Sequence, residues 1–298
     1  MTRPLACLLC FCTAWTAVSA QPRPIDRAAA DLPTDVLTAE FSFSGDEGLD
    51  RAGPAGSVAV RRSALATDRR TTLSPSHTLS YGLQLEVHEL DSDSGTLLPE
   101  RLAEIALRLN FSRRLSSTWS ASLFLRPGLY GDFEDVDGKT FNVPFLLGAS
   151  YAKTRDLVWL LGLRANVYAE HPVLPFVGFR WRFAPDWSFN VAFPRSGIEW
   201  QASSRLSLNL GVSLQGGTYR IIENLGSPLN TAGRLANTFV DYREIRVGLG
   251  AEYALTGRLS VRAEAGAFTD RQFDYYDRDY TLDGDPGIFA SVAVRSTF

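Results

Sequence analysis

The sequence predicts an all-β fold, an antiparallel transmembrane β-barrel of about fourteen strands, with about twelve as the alternative count. Three observations predict this fold class. Segments of about ten residues alternate apolar and polar side chains, the connections between them alternate between short and long, and no sustained helical periodicity follows the N-terminal segment.

The N-terminal segment has the pattern of a secretory signal peptide. It begins with the basic residue Arg3, continues with an apolar stretch at 5–18, and ends with Ser19 and Ala20, small residues that suit cleavage before Gln21. The apolar stretch is shorter than the ~20 residues of a membrane-spanning helix, which disfavours an N-terminal anchor. The predicted parts are a cleaved signal peptide at 1–20 and one barrel domain at 21–298, which starts with a periplasmic lead at 21–33.

The chain has three cysteines, Cys7, Cys10 and Cys12, and all of them lie in the predicted signal peptide. The predicted mature chain therefore has no disulfide, no thiolate nucleophile and no cysteine-based metal site. Removing Arg3 with the signal leaves 29 basic and 33 acidic residues, so the formal charge changes from −3 to −4. This nearly neutral balance gives no basis for nucleic-acid binding, and no motif indicates a cofactor.

Fourteen segments have the two-residue period of β-strands. In the clearest of them, Leu206, Leu208 and Leu210 alternate with Ser207 and Asn209. The period is present at 79–88, 103–111, 118–129, 141–151, 157–168, 173–183, 187–193, 206–215, 244–253, 258–269 and 288–298, and more weakly at 36–44, 57–66 and 197–203. Because no linker or change of composition separates these segments, they are predicted to form one domain.

The connections predict which end of the barrel faces which side of the membrane. Short turns at one end and long loops at the other are typical of bacterial membrane barrels. The short connections are 113–117, 153–155, 184–186, 203–205 and 256–258, and the long ones are 91–100, 131–140, 222–238 and 271–285. Three connections break the alternation, because 171–172 and 194–197 are short but should face outward, and 67–76 is long but should face the periplasm.

The two strand faces distinguish a membrane barrel from a soluble β-sandwich or lipocalin-like barrel. A soluble barrel covers its polar face with Lys, Glu and Thr, whereas the polar face here is rich in Gly, Ser, Asn and Gln, which suit a narrow interior. The apolar faces carry aromatic side chains, many beside short turns, as an interfacial girdle requires. These are Trp119, Tyr151, Trp159, Trp181, Phe183, Trp187 and Tyr253.

The C-terminal strand, IFASVAVRSTF, ends on Phe298, with Val292 and Val294 on the same face. It resembles the assembly signal of bacterial outer-membrane β-barrels, although Ser296 stands where an apolar residue is usual. Residues 194–200 are similar to a stretch of uncharacterised porin-like outer-membrane families. The resemblance implies export to an outer membrane of the Gram-negative type, insertion by the barrel-assembly machinery, and contact with outer-membrane lipid and lipopolysaccharide.

The inward-facing positions of the predicted strands carry charges of both signs in similar numbers. One interpretation is a network of paired charges that props the barrel, and the other is the wall of a pore for small charged or polar solutes. The lumen-lining candidates are Arg108, Arg126, Arg164, Arg180, Arg182, Arg246, Arg262, Arg295, Glu86, Glu104, Glu199, Glu244, Glu252 and Glu264. Arg164, Arg180 and Arg182 lie on neighbouring predicted strands and would form the basic part of such a wall.

The favoured function is porin-like passive passage or transport of small polar solutes. A structural or surface-interaction barrel without a pore is the alternative. An outer-membrane hydrolase is the least favoured, because the chain has only three histidines and no Gly-x-Ser-x-Gly or His-Glu-x-x-His motif. His88 and Glu86 share one face and could form a base with its orienting carboxylate, but the sequence predicts a protein without enzymatic activity.

Two long connections are rich in carboxylates, whose oxygens are the ligands that Ca²⁺ and Mg²⁺ prefer. The acidic residues are Asp132, Glu134, Asp135, Asp137, Asp274, Asp277, Asp279, Asp283 and Asp285. Their spacing matches no EF-hand loop. The sequence therefore predicts no specific metal site and leaves Ca²⁺ and Mg²⁺ as candidate partners of the outer loops.

Overall fold

The alternating segments form one antiparallel sheet whose last strand pairs with its first, so the sheet closes into a barrel. The computed structural model describes residues 34–51, 53–93, 96–192, 195–225 and 235–298, and the predicted signal peptide and periplasmic lead lie outside these ranges. The strands are β1 (Thr34–Asp50), β2 (Pro54–Ser74), β3 (His77–Ser92), β4 (Arg101–Arg114), β5 (Trp119–Leu125), β6 (Gly128–Gly131), β7 (Phe141–Asn142), β8 (Phe145–Ala152), β9 (Leu157–Ala165), β10 (Val173–Ala184), β11 (Trp187–Val191), β12 (Arg195–Gln201), β13 (Leu206–Ile221), β14 (Thr238–Ala254), β15 (Leu259–Tyr275), β16 (Tyr280–Gly284) and β17 (Gly287–Thr297). A 3-10 helix at Tyr276–Arg278 joins β15 to β16. No helix in the described part of the chain has the length and hydropathy needed to cross a membrane.

These segments make fourteen barrel strands, because three of the strands are interrupted. β5 continues as β6, β7 continues as β8, and β16 continues as β17 beside the same neighbours. Each interruption contains a proline, namely Pro127, Pro144 and Pro286. Proline has no backbone N–H to donate to the ladder, so pairing stops there and resumes beyond it. The predicted fold class and strand count are confirmed.

Two segments predicted as connections are largely strands. The prediction of a long connection at 67–76 is wrong, because β2 continues to Ser74 and a tight turn leads directly into β3. The predicted loop at 271–285 is also wrong, because Phe273 and Tyr275 turn inward and extend β15. Both segments are rich in polar residues, which suggests loops. A strand that continues beyond the bilayer also has polar outward side chains, because these side chains face water as those of a loop do.

The barrel wall is tall on one side and short on the other. β1, β2, β3, β13, β14 and β15 have 16–21 residues each, whereas β11 has 5 and β12 has 7. A membrane-spanning strand needs only ~9–11 residues, so the tall strands continue beyond the bilayer. Their outward side chains there are charged, as the pairs Arg61–Asp91 and Arg243–Asp270 show.

The projecting ends of the tall strands enclose an apolar cluster, which we call the outer core. Its buried side chains are Leu49, Val58, Val60, Leu90, Leu98, Leu102, Ala106, Tyr130, Tyr219, Ile221, Leu235, Val240, Tyr242, Phe273, Tyr275, Tyr280 and Leu282. β6 and β13 are not neighbours in the barrel, yet they meet beside this cluster through the pair Gly131–Arg220. The Asp132 N–H donates to the carbonyl of Arg220 at 3.0 Å. The outer end of the lumen is therefore narrowed and filled.

Aromatic side chains beside the short turns form a ladder on the outer surface. The chain has 6 tryptophans, and the five that the structure describes lie on β5, β9, β10, β11 and β12, where all are exposed. The Trp187 and Trp200 rings stack with 5.4 Å between centroids, and the Trp119 and Tyr151 rings stack at 4.9 Å. Amphipathic rings favour the boundary between lipid and water, so this ladder marks the edge of the apolar band at the short-turn end of the barrel.

The final residue is held to the first strand. The Phe298 N–H donates to the carbonyl of Asp35 at 2.8 Å, and β17 pairs with β1 along most of its length. The side chains of Phe298, Val294 and Val292 are exposed on the outward face. The predicted assembly signal is thus part of the seam that closes the barrel.

Deleting Phe298 is expected to impair assembly, because it removes both the terminal aromatic ring and the last hydrogen bond of the closing seam. The fraction of heat-modifiable barrel in the outer membrane measures the effect. Thr297→Ala, which keeps the aromatic terminus, is the control and should assemble normally. A deletion variant that assembles as completely as the unaltered chain contradicts the assignment of an assembly signal.

Candidate functional site

Eight charged side chains meet inside the barrel beside the outer core and form what we call the charged belt. It contains four arginines and four glutamates, namely Arg62, Arg126, Arg246, Arg271, Glu40, Glu86, Glu104 and Glu244. They come from β1, β2, β3, β4, β14 and β15 and from the break between β5 and β6. All but Glu40 are buried, and their formal charges sum to zero.

Arg62 is the centre of one half of the belt. Its Nε and Nη2 donate to the two carboxylate oxygens of Glu86 at 2.8 and 2.9 Å, and its Nη1 donates to Glu40 Oε1 at 2.8 Å. Gln84 Nε2 donates to Glu86 Oε2 at 3.0 Å, and His88 Nε2 lies 2.9 Å from Glu86 Oε1. The two parallel hydrogen bonds between Arg62 and Glu86 fix both groups in orientation.

Glu244 is the centre of the other half. Its Oε1 accepts a hydrogen bond from Arg246 Nε at 2.6 Å, and its Oε2 accepts one from Arg271 Nε at 2.8 Å. Arg271 also donates to the carbonyl of Val58 at 3.0 Å and to Ser44 Oγ. Because Ser44 and Val58 lie on β1 and β2, these bonds tie β15 to the opposite side of the closing seam.

A third pair lies against β4. Arg126 Nη2 donates to Glu104 Oε2 at 2.8 Å, and Tyr130 OH donates to the carbonyl of Arg126 at 2.7 Å. Burying a charge is costly unless an opposite charge and hydrogen bonds accompany it. Each charge of the belt has such a partner. At this level the lumen is therefore occupied by charged side chains that pair with one another.

The connection between β6 and β7 at 132–140, which we call the strap, is tied to the chain that follows β13. Asp132 Oδ2 accepts hydrogen bonds from the backbone N–H groups of Ile222 and Glu223 at 2.7 and 2.9 Å. These bonds continue the contact between β6 and β13. The strap therefore crosses the outer end of the lumen beside the outer core.

An ion pair between Arg220 and Asp137 holds the middle of the strap. Arg220 Nη2 and Nε donate to Asp137 Oδ2 at 2.7 and 3.1 Å. Partial burial of the Asp137 carboxyl opposes its ionisation. The hydrogen bonds from Arg220 and from the Lys139 backbone outweigh that effect and hold the pKa of Asp137 below its ordinary value. Asp137 is thus ionised and bound at neutral pH.

The half of the lumen at the short-turn end of the barrel, which is the predicted periplasmic half, is polar and only partly buried. Arg108 Nη1 lies 3.1 Å from Asp68 Oδ2, and Glu264 Oε2 lies 2.8 Å from Arg195 Nη2 and 3.5 Å from Arg262 Nη2. Small polar side chains cover much of the remaining inner wall, namely Asn110, Ser112, Ser120, Ser122, Asn190, Asn209, Ser260 and Ser291. This half therefore differs from the filled outer end.

The structure separates the fourteen predicted lumen-lining residues into three groups. Arg126, Arg246, Glu86, Glu104 and Glu244 belong to the charged belt, while Arg108, Arg164, Arg180, Arg262, Arg295, Glu252 and Glu264 lie along the inner wall outside the belt. Arg182 and Glu199 are exposed near the rim at the short-turn end of the barrel, where Arg182 Nη2 lies 2.6 Å from Asp156 Oδ1. Arg164 lies near the outer end of β9, so Arg164, Arg180 and Arg182 are spread along the wall and do not form one basic surface.

The sequence pattern does not single out two arginines of the belt, Arg62 and Arg271. Arg62 lies in a weakly alternating segment, and Arg271 lies in a segment predicted to be a loop. The alternation of inward and outward side chains along each strand could have identified both arginines. Arg62 continues the inward series of Val58 and Val60, and Arg271 stands two residues before the inward-facing Phe273.

His88 is part of the hydrogen-bond network of the belt. Its Nε2 lies against Glu86, and its Nδ1 has no hydrogen-bond partner among the described residues, so no hydroxyl nucleophile completes a triad there. Within the same described ranges, no group of three or more His, Cys, Asp or Glu side chains could hold a metal ion.

A family model described as a domain of unknown function (DUF6268) matches residues 76–281, and no curated protein matches the chain. Among solved structures, the COG4313 outer membrane channel from Pseudomonas putida F1 is 12% identical, with a TM-score of 0.51 over 93% of this chain and 100% of that chain. A Pseudomonas aeruginosa FadL homologue is 10% identical, with a TM-score of 0.45 over 89% and 90% of the two chains. The NanC porin is 10% identical, with a TM-score of 0.42 over 87% and 98%. At such identities the likeness shows the fold alone, which is that of an outer-membrane β-barrel.

Proposed function

We propose, given that this chain belongs to the DUF6268 family, that it is an outer-membrane channel for small solutes whose outer end is closed in the conformation described here. A barrel of fourteen strands encloses more space than the side chains of its wall alone usually fill. The observation that supports a channel most directly is the polar, partly accessible inner wall of the periplasmic half.

The charges of the inner wall support the proposal that this channel passes small polar solutes. Both charge signs line it, as the pair Arg108–Asp68 and the group of Arg195, Arg262 and Glu264 illustrate. A strict anion or cation channel would need an excess of one sign. We propose a passive role without enzymatic chemistry and without a cofactor.

The proposed location is an outer membrane of the Gram-negative type, reached through a cleaved signal peptide. The exposed apolar band and the aromatic ladder at its edge support contact with lipid. The partners of this proposal are outer-membrane lipid, lipopolysaccharide and the barrel-assembly machinery. Ca²⁺ or Mg²⁺ would bridge the acidic outer loops to lipid phosphates.

A structural barrel without a pore is the second candidate. The charged belt favours it, because its arginines and glutamates pair with one another, are mostly buried and leave no net charge for a solute. The outer core adds an apolar filling on the outer side. Under this candidate, no opening of the strap would produce a conducting path.

Single-channel recording in planar bilayers separates the two candidates. Arg220→Ala removes the ion pair that holds the strap, so we expect larger and more frequent conductance steps than in the unaltered chain. Arg182→Ala is the matched control, because Arg182 and its partner Asp156 are 48% and 53% exposed at the opposite end of the barrel from the strap, and such pairs contribute little. If the unaltered chain and Arg220→Ala both form heat-modifiable barrels and both stay silent, the channel proposal fails.

Acid is expected to act on the same ion pair. The pKa of Asp137 is lowered in the folded protein, so its pairing is fully present above the ordinary carboxyl pKa of about 3.9 and is lost as the pH falls through the folded value. Conductance of the unaltered channel should therefore stay constant between roughly pH 8 and pH 5 and rise below about pH 4. Asp137→Asn should show open behaviour at every pH. An identical acid response in Asp137→Asn would assign the effect to other groups.

A further inference from the structure

Six exposed cations lie at the short-turn end of the barrel, and together they form what we call the basic rim. They stand on the turns that follow β4, β8, β12 and β14, or at the strand ends beside those turns. None of them forms an ion pair with a carboxylate that the structure describes. The six residues are Arg113, Arg114, Lys153, Arg155, Arg205 and Arg258.

Few carboxylates at this end of the barrel could neutralise the basic rim. The carboxylate of Asp156 is already paired with an arginine outside the rim, because its Oδ1 lies 2.6 Å from Arg182 Nη2. Asp186 and Glu199 are exposed nearby, but neither forms an ion pair among the described residues. The short-turn end therefore carries an excess of positive charge that faces its surroundings.

The long-loop end has the opposite charge balance. Among the residues that the structure describes there, exposed acidic side chains outnumber exposed basic ones. Its outward-facing arginines have partners, since Arg61 Nη2 lies 3.2 Å from Asp91 Oδ2 and Arg101 Nη2 lies 3.1 Å from Glu134 Oε1. The unpaired cations are thus a feature of one end of the barrel and not of its whole surface.

The turns that carry the basic rim share one geometry. In each turn a Ser or Thr hydroxyl oxygen accepts a hydrogen bond from the backbone N–H three residues later, which is a common way of closing a tight turn. The distances are 3.0–3.1 Å in the pairs Ser116–Trp119, Thr154–Leu157, Ser203–Leu206 and Thr256–Leu259. Because the hydroxyl closes the turn, the cations on it have no part in stabilising the turn.

The basic rim directly borders the apolar band. On β4, Arg113 stands two residues beyond the outward-facing Phe111. After β8, Lys153 stands two residues beyond Tyr151, whose ring stacks on the ring of Trp119 with 4.9 Å between centroids. Since the aromatic ladder marks the boundary between lipid and water, the rim lies at the level of the lipid headgroups.

We propose that the basic rim binds anionic phospholipids of the leaflet that surrounds the short-turn end of the barrel. Arginine donates paired hydrogen bonds to phosphate oxygens, and basic side chains beside a bilayer attract acidic lipids. In the predicted orientation, this leaflet is the periplasmic one. The proposal names a lipid class and a surface that the channel proposal does not include, and it does not depend on conduction.

A phospholipid fits the distribution of the rim better than an acidic protein does. The cations are spread over four turns, and adjacent hairpins of a sheet are about 10 Å apart, or two strand spacings. A folded partner would contact one part of such a rim. Lipid headgroups contact all of it, because the outward face of every barrel strand borders the bilayer.

Quenching of tryptophan fluorescence by brominated lipids tests the proposal. The exposed tryptophans of the aromatic ladder lie beside the rim and report which lipid is next to it. The chain is refolded in phosphatidylcholine vesicles that contain a minor fraction of brominated phosphatidylglycerol or, in parallel, of brominated phosphatidylcholine. We expect phosphatidylglycerol to quench several-fold more efficiently, with a smaller difference at high salt. Equal quenching by the two lipids at low salt overturns the proposal.

Two multiple variants show whether the basic rim causes the preference. The rim variant combines Arg113→Gln, Arg114→Gln, Arg155→Gln and Arg205→Gln and should lose most of it. The control combines Arg61→Gln, Arg101→Gln, Lys139→Gln and Arg278→Gln, which removes as many exposed charges at the long-loop end, and should keep it. Both should form heat-modifiable barrels, since all the replaced side chains are exposed.

Two outcomes with these variants contradict the proposal. If the rim variant and the control keep the preference for phosphatidylglycerol, or lose it equally, the lipid binds elsewhere. If phosphatidylglycerol shows no preference while a poly-glutamate peptide binds the unaltered chain and not the rim variant, the rim is a docking surface for an acidic protein. Conductance enters neither comparison, so failure here is separate from failure of the channel proposal.

Discussion

Arg62→Ala is expected to be among the most destabilising single substitutions in this protein. Arg62 donates three hydrogen bonds to Glu86 and Glu40, and the Arg62 and Glu86 side chains are only 2% and 1% exposed. Alanine would leave two carboxylates inside the barrel without their counter-charge. Breaking a buried ion pair by removing one partner costs about 3–5 kcal/mol. The unfolding midpoint in denaturant, read by heat-modifiable electrophoretic mobility, measures the loss.

Arg61→Ala is the matched control for Arg62→Ala. Arg61 is the preceding residue on the same strand, but it faces outward and pairs with Asp91 at side-chain exposures of 49% and 71%. Exposed pairs contribute about 0–1 kcal/mol, so this variant should unfold like the unaltered chain.

A neutral replacement tests the mechanism of the Arg62 effect. The triple variant Arg62→Met, Glu86→Gln and Glu40→Gln removes all three charges together, so no carboxylate is left without a partner. It should recover most of the stability lost in Arg62→Ala, because replacing a whole buried ion pair is often nearly neutral. A triple variant as unstable as Arg62→Ala would mean that the loss comes from packing and not from unpaired charge.

Glu244→Ala is expected to destabilise the protein by a similar amount, but here the charges left without a partner are positive. Glu244 accepts hydrogen bonds from Arg246 and Arg271, and its side chain and that of Arg271 are fully buried. Alanine would leave two guanidinium groups buried without a carboxylate, again at a cost of about 3–5 kcal/mol. The same unfolding assay measures it, and the seam between β15 and β1 should become more accessible to protease.

Glu252→Ala provides the control for Glu244→Ala on the same strand. Glu252 also faces inward, but it is half-buried and accepts a hydrogen bond from Ser260 Oγ at 2.9 Å. Its loss should cost about 0.5–1.5 kcal/mol. If Glu244→Ala is no more destabilising than Glu252→Ala, water reaches the belt and the buried arginines are solvated.

The barrel itself was predictable because its cause is local in the sequence. Lipid requires an apolar side chain at every second position and a backbone that is fully hydrogen-bonded, so strands such as Leu206–Ile221 alternate visibly. The prolines at 127, 144 and 286 interrupt strands without changing their neighbours. The pairing of β17 with β1 has the same kind of cause, since a barrel without it would leave an unpaired strand edge.

The interior was only partly predictable because its partners are far apart along the chain. The alternation of side chains along the strands identified five inward-facing charges of the belt, namely Glu86, Glu104, Glu244, Arg126 and Arg246. It did not identify which of these charges pair with one another. Their pairing depends on the stagger of the closed sheet, which no local pattern records.

Sequence alone therefore determined the fold class, a count of about fourteen strands with twelve as the alternative, and the mixed charge of the inner wall, because each follows from a period of two residues and from the solvent on either side. Only the tertiary structure decided that the charges form a neutral belt, since Arg271 meets Ser44 across 227 residues of chain. It also decided that β6 reaches β13 over the outer core and that the wall drops at β11 and β12. These features depend on the relative heights of strands that are distant in sequence, and alternation carries no information about height.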